Sequence, residues 1–482
     1  MGDSIHKKIA SGMAWTYMER ITAQIVSLIV SIVLARLLEP KHFGIIAIVT
    51  IFITFSDVFI SGGFGNALVQ KKDADELDFN SIFYLSFTLA WLLYAVLYFA
   101  APHIAEFYEM QQLTAVIRVM SFRLPLAGIN TMQLAYIQRN MQFKKFFFAT
   151  VGGTVISAVV GITMAYQGFG IWALVTQYLV NTTINTAVLF CVDGWRPRLM
   201  FSLARIKQMF GFAFNVLLTQ FVFTLESDIR DLIIGKKFGS TDLAFFSYGK
   251  KFPMLIVTNL NSSLTKVLLP AFSGYQDDRE RIRHMLERYI GLSTFILCPL
   301  LIGMMAVSRS LVSVLLTDKW LDCIPFMQIY CIVYLTRPFE SACHQAILAI
   351  GDSDAVLRII LIVNIISLIG VLLAVFYFRS VLLIAWISVL TTLISTVCFM
   401  WRVSNAFKFK VIDQFKAMLP ALSLSVAMGL MVYTIQFIGF NNVLTLFIQV
   451  LLGATVYIVG AMIFRFDSLQ YFLSMVKKSY GK

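Results

Sequence analysis

Positively charged side chains interrupt several of the long apolar stretches of this 482-residue chain. An ionised group held at bilayer depth is costly, so it usually faces water, a partner or a ligand. A guanidinium matches phosphate oxygens with forked hydrogen bonds, and an ammonium acts as a point charge. These residue types therefore favour a cavity that holds an anion. The candidates for binding that anion are Arg20, Arg123, Lys250, Lys251 and Arg337.

Carboxylates lie in the same kind of stretch, at Asp57, Glu226 and Asp228. A carboxylate can take up a proton or bind Na⁺, so these three residues are the candidates for binding a coupling ion. A second interpretation remains open for Glu226, because Arg230 lies one helical turn away and the two can pair on one helix face.

Local pairing is also an open interpretation for two of the cations. Arg337 and Glu340 stand three residues apart, a spacing that brings side chains together on a helix. Arg20 follows Glu19 near the beginning of the first apolar stretch, where both side chains can extend to the lipid headgroups.

Other chemistry is poorly supported. The six cysteines form no C-x-x-C pair, and no His-x-x-x-His pattern suits a metal. The segment 235–240 (GKKFGS) lacks the spacing of a phosphate-binding P-loop, and no nucleophile is accompanied by a base. We therefore expect no metal and no cofactor beyond a coupling H⁺ or Na⁺, and we expect that the protein is not an enzyme.

Long apolar segments must position these charges. Hydrophobic residues make up 59% of the chain and charged residues 13%, with a mean hydropathy of +0.80. A helix needs about 20 apolar residues to cross a hydrocarbon core about 30 Å thick. The sequence predicts an all-α integral membrane protein with fourteen such spans. They cover residues 16–37, 43–66, 81–101, 113–136, 146–166, 169–191, 208–234, 242–270, 289–315, 324–349, 356–378, 381–401, 417–438 and 442–464.

The net charge of +13 reflects topology rather than binding to nucleic acid. With the N-terminus in the cytoplasm, most Lys and Arg outside the spans fall in the cytoplasmic loops, as the positive-inside rule requires. Fourteen spans then place both termini in the cytoplasm of a plasma membrane, and we expect anionic lipid headgroups to contact the excess charge.

An internal repeat organises the spans. Shifting the chain by about 200 residues aligns spans 1 and 2 with spans 7 and 8, and a slightly larger shift places Trp172 on Trp386. An offset of six helices preserves orientation, so the halves would be parallel repeats related by an axis along the membrane normal. We predict an N-lobe at 1–195, a C-lobe at 196–405, and two further helices with a tail at 406–482. The charged spans fall in the repeat pairs 1/7, 2/8 and 4/10, which a cavity between two lobes would need.

Five loop motifs carry a family resemblance. They occupy residues 34–40 with 43–44, 67–72, 138–144, 269–272 with 276–278, and 318–320. In this order they resemble the Wzx-type polysaccharide flippases, and most closely the colanic-acid-exporter branch, within the multidrug/oligosaccharidyl-lipid/polysaccharide exporter superfamily.

The resemblance implies two lobes in a V shape and a substrate built of an oligosaccharide on undecaprenyl pyrophosphate. It implies alternating access in a bacterial inner membrane, and it suggests a polysaccharide polymerase and chain-length machinery as partners. A related lipid-precursor flippase uses cavity arginines for the pyrophosphate, and Arg20 with Lys250 or Lys251 falls at comparable places. Lysine in place of arginine puts forked phosphate recognition on span 8 in question.

Three alternatives stay open from the sequence. A cation-coupled drug antiporter of the same superfamily would favour acidic cavity residues. A membrane enzyme acting on lipid-linked sugars would need large extracytoplasmic loops, and those of this chain are short. A scaffolding membrane protein would not explain why the charges are confined to repeat-related spans.

Overall fold

The structure is a computed structural model that describes residues 2–61, 63–192, 195–466 and 468–470, with the backbone alone for 2–10, 13, 259–260 and 262–267. The regular elements of the described residues are all helical. The first nine α-helices are α1 (Gly2–Leu37), α2 (Pro40–Ser61), α3 (Phe64–Gln70), α4 (Glu76–Phe107), α5 (Gln112–Met120), α6 (Arg123–Arg139), α7 (Phe143–Tyr166), α8 (Ile171–Val192) and α9 (Leu203–Lys237). The remaining eight are α10 (Ser240–Ser273), α11 (Arg279–Leu315), α12 (Ile324–Leu335), α13 (Arg337–Ala349), α14 (Ser353–Leu373), α15 (Val381–Phe407), α16 (Val411–Thr434) and α17 (Asn442–Ile463).

Ten helical segments of the described chain are long and apolar enough to cross a membrane. They coincide with ten of the predicted spans. The other four spans fall on helices that are shorter, broken or more polar, namely α5 with α6, α8, α10, and α12 with α13. The predicted all-α, multi-pass membrane protein is confirmed.

Two predicted spans are broken rather than continuous. The span at 113–136 divides between α5 and α6, and the span at 324–349 divides at Thr336 between α12 and α13. Each second half has a proline in its first turn, Pro125 and Pro338, where the missing amide hydrogen is tolerated. Proline suits a helix beginning, but Pro299 and Pro420 lie inside unbroken helices, so proline alone does not impose the two breaks.

The first compact unit, Met1–Ala244, contains α1 to α9. In it α1 packs on α7, α7 on α8, α4 on α6, and α9 on α2. A Cβ on Gly44 would lie 1.7 Å from the carbonyl oxygen of Ser240, so only glycine allows this approach of the two helix beginnings. The predicted lobe boundary at residue 195 stays a prediction, but α9, which follows it, packs within this unit.

The second unit, Phe245–Lys482, is built around α11, which packs against α12, α16 and α17. A buried cluster that includes Phe272, Leu286, Phe339 and Phe399 fills the space between α10, α11, α13 and α15. The hydroxyl of Tyr457 donates to the carbonyl oxygen of Phe295 at 2.8 Å. The last two helices are therefore attached to this unit through α11.

Candidate functional site

The first unit brings together two predicted site residues to which the sequence gave different roles. The guanidinium Nη2 of Arg123, at the beginning of α6, lies 3.7 Å from Oδ2 of Asp57 on α2, with about a quarter of each side chain exposed. Within the described residues, Oδ1 of Asp57 and Nε of Arg123 are buried without a hydrogen-bond partner. The two side chains therefore neutralise each other's charge, while one carboxylate oxygen and one guanidinium nitrogen can still form a hydrogen bond with another partner.

Helix α6 also buries polar groups that the sequence did not indicate as site residues. Gln133 is fully buried on α6, and neither atom of its amide has a hydrogen-bond partner among the described residues. The amide oxygen of Asn130 is likewise buried without a hydrogen-bond partner among the described residues. Buried polar groups are normally hydrogen-bonded, and roomy polar sites are normally filled by water. The unpaired amide groups of Gln133 and Asn130 are therefore available to bond water or an ion.

The second unit contains a comparable pair at its own broken helix. Arg337 begins α13, and its Nη1 lies 3.5 Å from Oε2 of Glu340. The other oxygen of Glu340 accepts a 2.5 Å hydrogen bond from the hydroxyl of Ser395 on α15. The local pairing considered for Arg337 and Glu340 is present, and Ser395 is a partner that no spacing in the sequence indicated.

Arg20 lies on α1 with its side chain exposed, although α1 is one of the membrane-length helices. It forms no ion pair within 4.0 Å in the part of the chain that is described. Thr16 and Ser27, on the same helix, are also exposed. A stripe of exposed polar side chains on a membrane helix needs water or a polar ligand beside it, because lipid tails supply no hydrogen bonds.

Lys250 and Lys251 lie together on α10 and contact aromatic rings. The ammonium of Lys250 is 5.4 Å from the ring centre of Phe246, and that of Lys251 is 5.0 Å from the ring centre of Tyr248. Both side chains are half-buried, at positions where an aromatic face stabilises the charge. Lys250, Lys251 and Arg337 belong to the second unit, and Arg20, Arg123 and the three carboxylates to the first.

Glu226 and Asp228 lie on α9. Glu226 is exposed, whereas Asp228 is half-buried and its Oδ1 accepts a 2.7 Å hydrogen bond from the hydroxyl of Ser227. Asn215 and Thr219 continue the exposed polar residues along this helix. The first unit thus has two membrane-length helices, α1 and α9, that expose polar and charged side chains.

An ionic network at the beginning of α4 was not predicted. The carboxylate of Asp78 is fully buried, 2.7 Å from Nζ of Lys71 and 3.6 Å from Nη1 of Arg205. Asp75 caps the helix by accepting from the Asp78 amide, and the Asp78 side chain accepts from the Asp75 amide in return. The aspartate pair three residues apart before an apolar run resembles a capping box, a signal available in the sequence.

Comparisons with known proteins identify a family and several relatives that this chain resembles. The model of a family described as polysaccharide biosynthesis protein matches residues 33–325. Teichuronic acid biosynthesis protein TuaB of Bacillus subtilis is 23% identical, and the match covers 90% of each chain. Lipopolysaccharide biosynthesis protein WzxC of Escherichia coli is 24% identical over 73% of this chain and 72% of its own.

A solved structure described as the lipid II flippase MurJ, in an inward closed conformation, shares the fold. It superposes with a TM-score of 0.74 at 15% identity, over 95% of this chain and all of that one. The resemblance predicted from five loop motifs is confirmed by these comparisons. Because the family model matches more than half of the sequence, the chain belongs to the family of polysaccharide biosynthesis proteins.

Proposed function

We propose that this protein is a flippase that moves oligosaccharide repeat units linked to undecaprenyl pyrophosphate across a bacterial inner membrane by alternating access. The observation that carries the proposal is the exposed guanidinium of Arg20 on a membrane-length helix, beside exposed hydroxyls, in a chain of this family. A pyrophosphate with hydroxyl-rich sugars cannot enter hydrocarbon without compensating hydrogen bonds. A cation and hydroxyls on one helix face supply them.

Arg20 is the first of the predicted cations that we assign to the pyrophosphate. A guanidinium can hold two phosphate oxygens at once, and exposure leaves its donors accessible. Lys250 and Lys251 are the candidates for a second contact as point charges, with their aromatic neighbours Phe246 and Tyr248. The polyprenyl tail would stay in the lipid, where it needs no polar partner.

A coupling ion acts only if it binds one conformation better than another. We assign this role first to Asp57, because its carboxylate pairs with Arg123. A proton or Na⁺ on Asp57 would release Arg123 from the pair and expose a cation to the interior. Glu226 and Asp228 remain the further candidates on α9.

The proposed setting follows from the charge pattern. Both termini would lie in the cytoplasm, and anionic lipids would contact the basic loops. A polysaccharide polymerase and chain-length machinery would use the product on the opposite face. The protein would carry out transport without catalysis.

The test replaces Arg20 by Ala and by Lys in the full chain. Purified protein in vesicles is given a fluorescent undecaprenyl-pyrophosphate oligosaccharide, and its transfer between leaflets is measured by chemical quenching. We expect Arg20→Ala to abolish transfer and Arg20→Lys to retain a fraction, because an ammonium keeps the charge without the fork. Arg309→Ala is the matched control, since Arg309 is also exposed on a membrane-length helix. Transfer at the wild-type rate by Arg20→Ala would remove Arg20 from the site.

A further inference from the structure

Residues 195–202, which precede α9, cross the beginning of α4 without helical structure, and two buried side chains hold them there. Asn80, with 1% of its surface exposed, accepts from the backbone amide of Arg198 at 2.5 Å. Ser81 is fully buried and accepts from the backbone amide of Ser202 at 2.9 Å. We name residues 195–202 the linker. Asn80 and Ser81 also donate to the carbonyl oxygens of Glu76 and Leu77, so each side chain joins the linker backbone to that of α4.

The fixed linker exposes apolar side chains. Leu199 is 94% exposed and Phe201 is 56% exposed. Beside them lies a cleft of about 510 Å³. Its walls are Tyr84, Leu85 and Thr88 of α4 and Leu199, Met200 and Phe201 of the linker. Leu199, Phe201 and the walls of the cleft together form an apolar surface that the described residues leave uncovered.

The depth of the cleft follows from the length of α4. A helix of 32 residues is about 48 Å long, against a hydrocarbon core about 30 Å thick. The predicted span at 81–101 lies near the middle of α4, so with the helix perpendicular to the membrane about six residues at each end extend beyond the core. Tyr84 and Thr88 then lie just inside the hydrocarbon, while Glu76, with its partner Arg198, lies at headgroup depth.

Exposed cations on the linker and at the beginning of α9 favour a lipid with an anionic headgroup. Arg196 and Arg198 are exposed on the linker, and Lys207 is exposed on the first turns of α9. Arg198 pairs with Glu76 through one nitrogen at 2.5 Å, and two thirds of its side chain stays exposed. Basic pockets beside membrane helices bind anionic lipid headgroups. Arg198, paired with Glu76, lies next in the chain to Leu199, which begins the linker wall of the apolar cleft.

We propose that this cleft is a binding site for an anionic phospholipid. One acyl chain lies against Tyr84, Leu85 and Thr88 under the linker, and the phosphate contacts Arg196 and Arg198. A bound lipid covers Leu199 and Phe201 and holds the linker against α4. The site is separate from Arg20 and does not depend on the proposed transport.

The test uses photoreactive lipids with the full-length protein. Phosphatidylglycerol and phosphatidylcholine, each with a diazirine in one acyl chain, are introduced separately into phosphatidylcholine vesicles that contain the protein. Labelled peptides are mapped after illumination. We expect phosphatidylglycerol to label residues 84–88 and 199–201 more strongly than phosphatidylcholine. Removing one cation with Arg196→Gln should lower that preference about fivefold.

Two matched variants separate the site from general lipid contact. Thr88→Trp fills the cleft from an exposed position and should abolish the preferential labelling of residues 199–201, whereas Leu92→Trp, one turn along α4 and also exposed, should leave it unchanged. Arg358→Gln, a cation on α14, should also have no effect. Circular dichroism establishes whether each variant is folded. If Thr88→Trp does not fold, the labelling of Arg196→Gln tests the proposal instead. Equal labelling by the two lipids, or preferential labelling by a polyprenyl phosphate, would overturn the proposal.

Discussion

Asp78 offers the sharpest quantitative test of the ionic network that ties the beginning of α4 to Lys71 and to Arg205 of α9, next to the linker. Its carboxylate is fully buried between Lys71 and Arg205, whose side chains are 22% and 33% exposed. Asp78→Asn keeps the shape and an acceptor oxygen for the capping box, so it removes mainly the charge. Breaking a buried pair costs about 3–5 kcal/mol when the remaining charge is trapped. Because both cations retain contact with solvent, we expect a smaller cost of about 2–3 kcal/mol.

This cost should appear as local opening of the linker. Trypsin does not cleave the Arg196–Pro197 bond, so the linker offers it the bond after Arg198. That bond is accessible only when Arg198 leaves α4, and cleavage then follows the population of the open form. A loss of 2–3 kcal/mol raises that population about 30- to 150-fold, at about 1.4 kcal/mol for each factor of ten. The measurement is the rate of limited proteolysis of the purified protein, with the cleaved bonds identified by mass spectrometry.

Glu76→Gln is the matched control. Glu76 and Arg198 form an ion pair in the same network, but their side chains are 59% and 67% exposed. Exposed pairs are worth about 0.2–1 kcal/mol, so this variant should accelerate cleavage by about fivefold at most. If Asp78→Asn and Glu76→Gln give the same rate, burial of Asp78 does not hold the linker and the reasoning fails.

Three further predictions concern other parts of the first unit. Asp57→Asn and Arg123→Gln should each lower thermal stability, and the double variant should recover part of the loss, because a pair removed together leaves no buried charge; additive losses in a melting experiment would contradict the pairing. Gly44→Ala should destabilise the protein, since its Cβ would overlap a backbone oxygen 1.7 Å away, whereas Gly152→Ala, with nothing within 4 Å, should be neutral or stabilising by up to about 1 kcal/mol. The hydrogen bond from the Asp78 amide holds the pKa of Asp75 below its usual 3.8, so this cap should stabilise at neutral pH and weaken only as the pH falls below that value; Asp75→Asn, which also caps helices, should reduce the acid-induced increase in cleavage by pepsin, a protease that is active at such pH.

The sequence was sufficient for the fold class because apolar length is a direct requirement of the bilayer. Each backbone amide in hydrocarbon must bond within its own helix, so about 20 apolar residues indicate a span without reference to any tertiary contact. The breaks at residues 121–122 and at Thr336 were harder to predict. Pro125 and Pro338 mark both of them, but a proline in a membrane helix also occurs without a break, and tertiary packing decides between the two outcomes.

The sequence indicated the candidate residues by type, and a partner by spacing for Arg337 but not for Arg123. An arginine within an apolar stretch signals function or pairing equally, and the sequence does not show which carboxylate is nearby. Arg123 and Asp57 are separated by 66 positions, so only the packing of α6 on α2 brings them together. The network around Asp78 was missed for a different reason. Its residues lie in loops and at helix ends, where charged residues are common, so their presence did not indicate a buried ionic network.

The two broken helices together suggest what the repeat preserves. Each unit restarts a helix at an arginine, Arg123 or Arg337, and each arginine faces one carboxylate, Asp57 or Glu340. The same spacing in the chain separates the two arginines and separates Trp172 from Trp386. The carboxylate comes from another helix in the first unit and from the same half-helix in the second, so the cation is retained while the source of its partner differs. A repeat that keeps the cation and exchanges its counter-ion agrees with the roles proposed above, in which the cation binds the substrate and the carboxylate controls its availability.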